Sequence, residues 1–118
     1  MNGGSYDYRT FTKIETIPSL KISKQTFIDS ISMYLNSSGT SFGNGTIKLF
    51  FVVDSHSKID NIQKISGDIT DNAPLKAAVL KFSDFWLPGR QHNYIASSYV
   101  QLEMKFKNNI LENVTISQ

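Results

Sequence analysis

The sequence predicts an α+β domain: a small antiparallel sheet of three main strands and a short fourth, with two helices packed on one face. Three observations carry this. Apolar residues repeat at helical spacing in two separate stretches, they alternate with period two in two others, and Gly, Pro, Asn and Ser clusters separate each stretch from the next. Helices laid on one side of an antiparallel sheet bury both kinds of apolar face in one core.

The first helix begins after Ser23, whose hydroxyl is placed to accept from an amide two or three residues on. Phe27, Ile28, Ile31, Tyr34 and Leu35 then fall at i, i+1, i+4, i+7 and i+8, which gathers them on one side of about three turns. Asn36-Ser37-Ser38-Gly39 ends the helix, and a polar loop runs to Gly45. From Thr46 the period changes to two. Ile47, Leu49, Phe51 and Val53 point one way and Lys48, Phe50 and Val52 the other, which fits a strand covered by helices on one side and partly on the other. Asp54-Ser55-His56-Ser57 reads as a hairpin turn, with Lys58 to Ile65 as the returning strand. Ile59 and Ile62 break strict alternation, which predicts a bulge near Asp60-Asn61.

Gly67 to Asn72 is a polar loop. Pro74 suits a first helical turn, and Leu75, Ala78, Val79 and Phe82 at i, i+3, i+4 and i+7 mark a second helix ending near Ser83. Trp86-Leu87-Pro88-Gly89 reads as a turn, with Pro fixing one φ and Gly free to take a positive one. Trp86 is expected to plug the core where the second helix meets the last long strand. In that strand Val100, Leu102, Met104 and Phe106 alternate with Tyr99, Gln101, Glu103 and Lys105, giving one buried and one wet face. Asn108-Asn109 suits a tight turn because Asn tolerates the left-handed region, and Ile110 to Ile116 folds back as the short last strand. Residues 1–22 read as an extended arm in which Tyr8 to Ile17 form a strand. A flexible leader over 1–13 and one domain over 14–118 are the expected organisation.

A chain of 118 residues has the length of one core. Its 14 aromatics and formal charge of +2 fit a folded chain, because disorder needs few aromatics and a large net charge. The basic residues are dispersed and form no phosphate-binding run. Cysteine is absent, which removes disulfides, thiolate metal sites and Cys nucleophiles together. No apolar stretch approaches the ~18 residues of a membrane span.

Catalytic chemistry finds little to work with. His56 sits in a hairpin turn and His92 in a loop, neither at helical or strand spacing from a carboxylate pair, so each reads as an exposed turn residue. Gly39, Gly43 and Gly45 lie between a helix and a strand, the wrong order for a nucleotide-binding turn. Asp54 and Asp60 flank one turn without the further carboxylates of a calcium loop. Asn36, Asn44 and Asn113 head N-x-S/T triplets, which an Asn- and Ser-rich chain contains by chance. Tyr99, Lys105 and Lys107 interleave as a base-stacking face would, yet Glu103 and the low net charge oppose a phosphate funnel. No enzyme activity, metal or cofactor is expected.

Gly45-Thr46-Ile47-Lys48-Leu49-Phe50-Phe51-Val52-Val53-Asp54, Lys58-Ile59, the Leu75-to-Phe82 helix, Trp86-Leu87-Pro88-Gly89 and the strand ending Met104-Lys105-Phe106 together resemble the C-terminal domain of TonB, in the form found in Bacteroidetes-type bacteria. Glu15-Thr16-Ile17-Pro18 before the first helix matches that family's Glu-x-x-Pro. The resemblance covers residues 14–107. It departs at the hairpin turn, where His56-Ser57 replace a glycine, at Asn93, which replaces another, and at Gly39-Thr40-Ser41-Phe42, where the family carries Tyr-Pro ahead of the first strand of the hairpin.

The resemblance implies a periplasmic, cell-envelope transport protein without catalysis. It would pass force from inner-membrane proton-motor proteins, through an anchor outside this chain, to an outer-membrane TonB-dependent transporter. Its grip would be strand addition: an extended segment of the transporter pairs with a sheet edge. By analogy that edge is Ser98, Tyr99, Val100, Gln101, Leu102, Glu103, Met104, Lys105, Phe106 and Lys107, with Trp86, Pro88 and Gly89 as the structural turn before it. The Ile110-to-Ile116 piece is too short to protect the whole edge and is expected to be weakly held, so that an incoming peptide either pairs beside it or displaces it. Exposed edges leave a homodimer open. The competing readings are an accessory or adaptor domain of the same fold and a small nucleic-acid binder using the sheet face.

Overall fold

The computed structural model describes residues 10–11, 16–69, 73–92 and 94–118. Two short strands, β1 (Thr10–Phe11) and β2 (Ser19–Leu20), precede helix α1 (Lys24–Ser37). The hairpin β3 (Gly45–Val53) and β4 (Ile59–Gly67) follows, then helix α2 (Ala73–Lys81) and a 3-10 turn at Ser83–Phe85. The chain ends with β5 (Trp86–Leu87), β6 (Gly89–Gln91), β7 (Tyr94–Lys107) and β8 (Ile110–Ser117). Lys24 starts α1 because Ser23 stays extended and its Oγ accepts from the Thr26 amide at 3.0 Å. Pro74 lies in the first turn of α2, where its missing N–H costs nothing.

β4 pairs with β3, β3 with β7 and β7 with β8, all antiparallel. Register places Ile47, Leu49, Phe51 and Val53 opposite Met104, Leu102, Val100 and Ser98, all on one face and all buried. The same cluster takes in Phe27, Ile31 and Leu35 of α1 and Leu75 and Val79 of α2, so both helices cover that face. The architecture is thus α+β with two helices and a mainly antiparallel sheet. On the other face Phe50 stacks on Tyr99, with ring centroids 4.6 Å apart and planes 14° from parallel. Of the expected strand over Tyr8 to Ile17, Thr10–Phe11 pairs in parallel with Ser97 and Ser98, Thr16 makes an isolated bridge to Arg90, and the leader and residues 12–15 lie outside the described residues.

The bulge falls where the sequence places it. Phe50 pairs with Gln63 and Val52 with Asp60, so β4 fits one extra residue between them, and Asn61 takes it up at φ 57°. A second irregularity follows at Ile65, because Leu49 pairs with Lys64 but Lys48 with Ser66.

Trp86-Leu87-Pro88-Gly89 is not a turn. Trp86 and Leu87 form β5 and pair with Leu20 and Ser19, while Gly89 opens β6 and pairs with Ala96. Among the described residues of this region the positive φ falls at His92, at 50°. The reason is backbone supply: the N-terminal arm runs alongside and offers ladder partners, and Pro88, with no N–H, sits between the two short ladders. Trp86 does plug the core, fully buried and edge-on to Phe27 and Phe51 at 6.0 and 5.4 Å.

A clamp closes the end of the β3–β4 hairpin. Gly67 holds φ 113°, and a Cβ there would lie 2.7 Å from the Ile47 Cα and still closer to the Thr46 carbonyl. That close approach lets Asp68 turn back and accept from the Thr46 amide at 2.7 Å. The Thr46 amide, then the Asp68 amide, and more weakly Lys64, hold the Asp68 carboxyl below the usual aspartate range.

Four outcomes test this description. Trp86→Ala and Leu102→Ala are each expected to cost about 2–5 kcal/mol in urea melts, as deletions from a closed core do. Gly67→Ala combines strain with a backbone clash and is expected to cost at least about 1–3 kcal/mol. Lys105→Ala is expected to stay within about 0.5 kcal/mol, since its ion pair with Glu112 at 3.5 Å is exposed. The Asp68 carboxyl, whose folded pKa is depressed, stabilises the fold above its unfolded pKa and ceases to do so as pH falls through the folded one. Asp68→Asn is therefore expected to lower the melting temperature at pH 7, with the difference from wild type closing below about pH 4.

Candidate functional site

The ten residues expected to form an edge, Ser98 to Lys107, lie in the middle of the sheet. β3 pairs with β7 from Ser98 to Phe106, and β8 pairs with it from Gln101 to Lys107. Beyond the end of β8 the Tyr99 carbonyl accepts from the Gln118 side-chain amide at 3.2 Å, and Ser97 and Ser98 meet β1. β7 is an interior strand, and the expectation of an exposed edge there is corrected. Side chains alternate as expected: Ser98, Val100, Leu102, Met104 and Phe106 are buried, Tyr99 and Gln101 half-buried, and Glu103, Lys105 and Lys107 exposed. The Ser98 hydroxyl and the Trp86 indole N–H are both buried, without a hydrogen-bond partner among the described residues.

β8 is long enough to cover the edge because its side chains belong to the core. Leu111 and Val114 are 3% and 0% exposed and pack with Phe106 and Met104 beneath α1, so peeling β8 away would open the core. It is also tied at its start. Asn108 and Asn109 form a two-residue turn with φ of 52° and 67°, the mirror-image turn that suits strand twist. The α1–β3 loop grips that turn: Asn109 Oδ1 accepts from the Gly43 amide at 2.6 Å, the Asn109 amide donates to the Gly43 carbonyl at 2.9 Å, and the Asn108 amide donates to Asn44 Oδ1 at 2.8 Å. Phe42 lies on Phe106, centroids 5.0 Å apart. The α1–β3 loop, from Phe42 to Asn44, is thus a clamp on the β7–β8 turn. Polar composition alone marked it as a loop, and only the positions of Asn108 and Asn109 in a tight turn hinted at a partner.

Among the described residues two long strands, β4 and β8, form outer edges, and they differ. β4 carries the irregularities at Asn61 and Ile65 together with Asp60 and Lys64, devices that discourage further pairing. β8 has one bulge, opposite Lys105, and one charge, Glu112. Because the turn makes Lys107–Ile110 a bonded pair, bonded and non-bonded pairs alternate along the hairpin. The N–H and C=O groups of Leu111, Val114 and Ile116 therefore point away from β7, and no strand among the described residues receives them.

Beside Leu111 a recess of about 80 Å³ opens between α1, the clamp loop and the start of β8. Leu35, Phe42, Phe106 and Leu111 form its apolar lining, and Ser32, Asn36, Thr40 and Asn109 its polar part. Elsewhere, His56 and His92 are exposed in turns, and Asp54 accepts from the amides of His56 and Lys58 at 2.8 and 2.9 Å, which holds the β3–β4 turn. Among the described residues no three His, Asp or Glu side chains gather as metal ligands, and no helix is long and apolar enough to cross a membrane.

No protein-family model, curated protein or solved structure matches the chain.

Amide exchange reads the edge directly. Thr115, bonded into β7, is expected to exchange slowly, and Val114 and Ile116 quickly; equal protection at all three would show that another strand covers β8. Asn109→Ala, which removes the clamp acceptor and strains a left-handed position, is expected to cost about 1–3 kcal/mol by thermal melt.

Proposed function

We propose that this chain is a TonB-like periplasmic binding module that takes up an extended segment of an outer-membrane transporter by strand addition, on the side of the sheet closed by β8. The observation that carries the reading is the asymmetry of the edges: β4 has two irregularities and two charges, whereas β8 has one of each and keeps an unbroken stretch from Val114 to Ile116 with outward backbone donors and acceptors. Such an edge recognises a backbone before it recognises side chains, which fits a partner defined by its extended shape. The resemblance of the hairpin, the second helix, the Trp-x-Pro-Gly segment and β7 to the TonB C-terminal domain supplies the partner class. Force from proton-motor proteins would enter through sequence outside this chain. An accessory or adaptor role would use the same edge and would differ only in what precedes the domain.

The nucleic-acid reading is less well supported. Tyr99, the ring that would stack on a base, already stacks on Phe50, and Lys105 pairs with Glu112.

The test is calorimetric titration with synthetic peptides copying the periplasm-facing N-terminal segments of the source organism's outer-membrane transporters. At least one is expected to bind, and N-methylation of its backbone amides is expected to weaken it more than permutation of its side chains does. If none binds, while heparin resin retains the protein and releases it at moderate salt, the transporter reading fails and the nucleic-acid reading replaces it.

A further inference from the structure

We infer that the groove between the outer edge of β8 and helix α1 holds an extended, uncharged peptide segment, with one aliphatic side chain seated in the recess beside Leu111. The inference rests on the strand-addition reading and adds to it the accepting edge and the side-chain preference. It places the peptide outside β8, and not on β7, where the resemblance would put it.

The occupant follows from what the groove leaves unsatisfied. Val114 and Ile116 direct their N–H and C=O groups outward at the two-residue spacing of an extended backbone, and Leu111 does the same on the near side of the bulge, beside the recess. α1 lies over β8, so a strand added there meets the helix flank as well as the edge. At the recess the rim contributes Ser32, Asn36 and Thr40, which are neutral, and the only charge on β8, Glu112, already has Lys105 as a partner at 3.5 Å. A charged side chain brought here would lose water without gaining a counter-ion. The recess itself is floored by Leu35, Phe42, Phe106 and Leu111. A single water needs about 10–15 Å³ of such space, so about 80 Å³ has room for a four-carbon side chain.

The experiment is a titration followed by amide chemical shifts, using short Ser/Thr peptides capped at both ends and carrying one central Leu or one central Ala. With the wild-type protein the Leu peptide is expected to shift Leu111, Val114 and Ile116 and to bind about tenfold more tightly than the Ala peptide, the contrast that burying the additional carbons gives. Ser32→Phe, which fills the recess from the helix side, is expected to abolish that contrast while leaving the shifts along β8. Equal affinities for the two wild-type titrations, or a contrast that survives Ser32→Phe, would overturn the recess and leave strand addition standing. Shifts confined to β4 would overturn the edge. No shift with either peptide, in a protein that also ignores transporter segments, would mean that strand addition itself fails. Shifts of the β8 amides on raising the protein concentration alone would identify a second copy of the chain as the occupant and overturn the peptide assignment.

Discussion

The structure depends on β7 having a backbone partner on both sides. Its bonding groups alternate, those of Ser98, Val100, Leu102, Met104 and Phe106 toward β3 and those of Gln101, Glu103, Lys105 and Lys107 toward β8. The buried side chains of the first set meet both helices, so the strand that organises the ladder also forms the floor of the core. Once β7 is interior, the hairpin β3–β4 is fixed on one flank and β8 on the other. The outer limits of the sheet, and therefore its reactive backbone, are decided there.

Those limits are finished differently. At β4 the sheet is closed by local distortion: Asn61 and Ile65 interrupt the register, and Gly67 with Asp68 pulls the strand end back over Thr46. At β8 the effort goes into attachment, through the two-residue turn, its grip by Gly43 and Asn44, and the burial of Leu111 and Val114. An edge with a single bulge can stay uncovered only if its own strand is firmly held, because a loose strand would exchange with whatever pairs beside it. The clamp and the open edge are thus two parts of one arrangement.

What could be read from the sequence was local and periodic. The stripes Phe27, Ile31, Leu35 and Leu75, Val79 fixed the helices, the alternation from Ile47 and from Val100 fixed the strands and their buried faces, and the misfit between Ile59 and Ile62 located the bulge. What could not be read was which backbones pair across long separations. Leu20 meets Trp86 through backbone groups that every residue possesses, and Gly43 meets Asn109 through one backbone bond and one to the Asn109 side chain, so no periodic pattern announces either pairing. Trp86-Leu87-Pro88-Gly89 carries strong turn residues, yet pairing with the N-terminal arm overrides that propensity. β8 was legible as a strand, but its hold was underestimated because Leu111 and Val114 are two core residues among polar neighbours, and the depth of their burial is set by α1, a distant element.

The direction in which the candidate edge would bear force follows from the same geometry. A peptide lying beside β8 and drawn along the strand axis loads all its backbone bonds together in shear, and no single bond takes the whole pull. β8 would pass that load to β7 through the ladder from Lys107 to Gln101, and β7 to β3 through its other set of bonds. The turn at Asn108-Asn109 is where β8 would otherwise begin to slide. There the clamp ties it to the loop that leads directly into β3, the strand on the far side of β7. Load reaching the turn would then be shared between both neighbours of β7, and under the proposed function the α1–β3 loop would have a mechanical purpose that its Gly- and Ser-rich composition does not suggest.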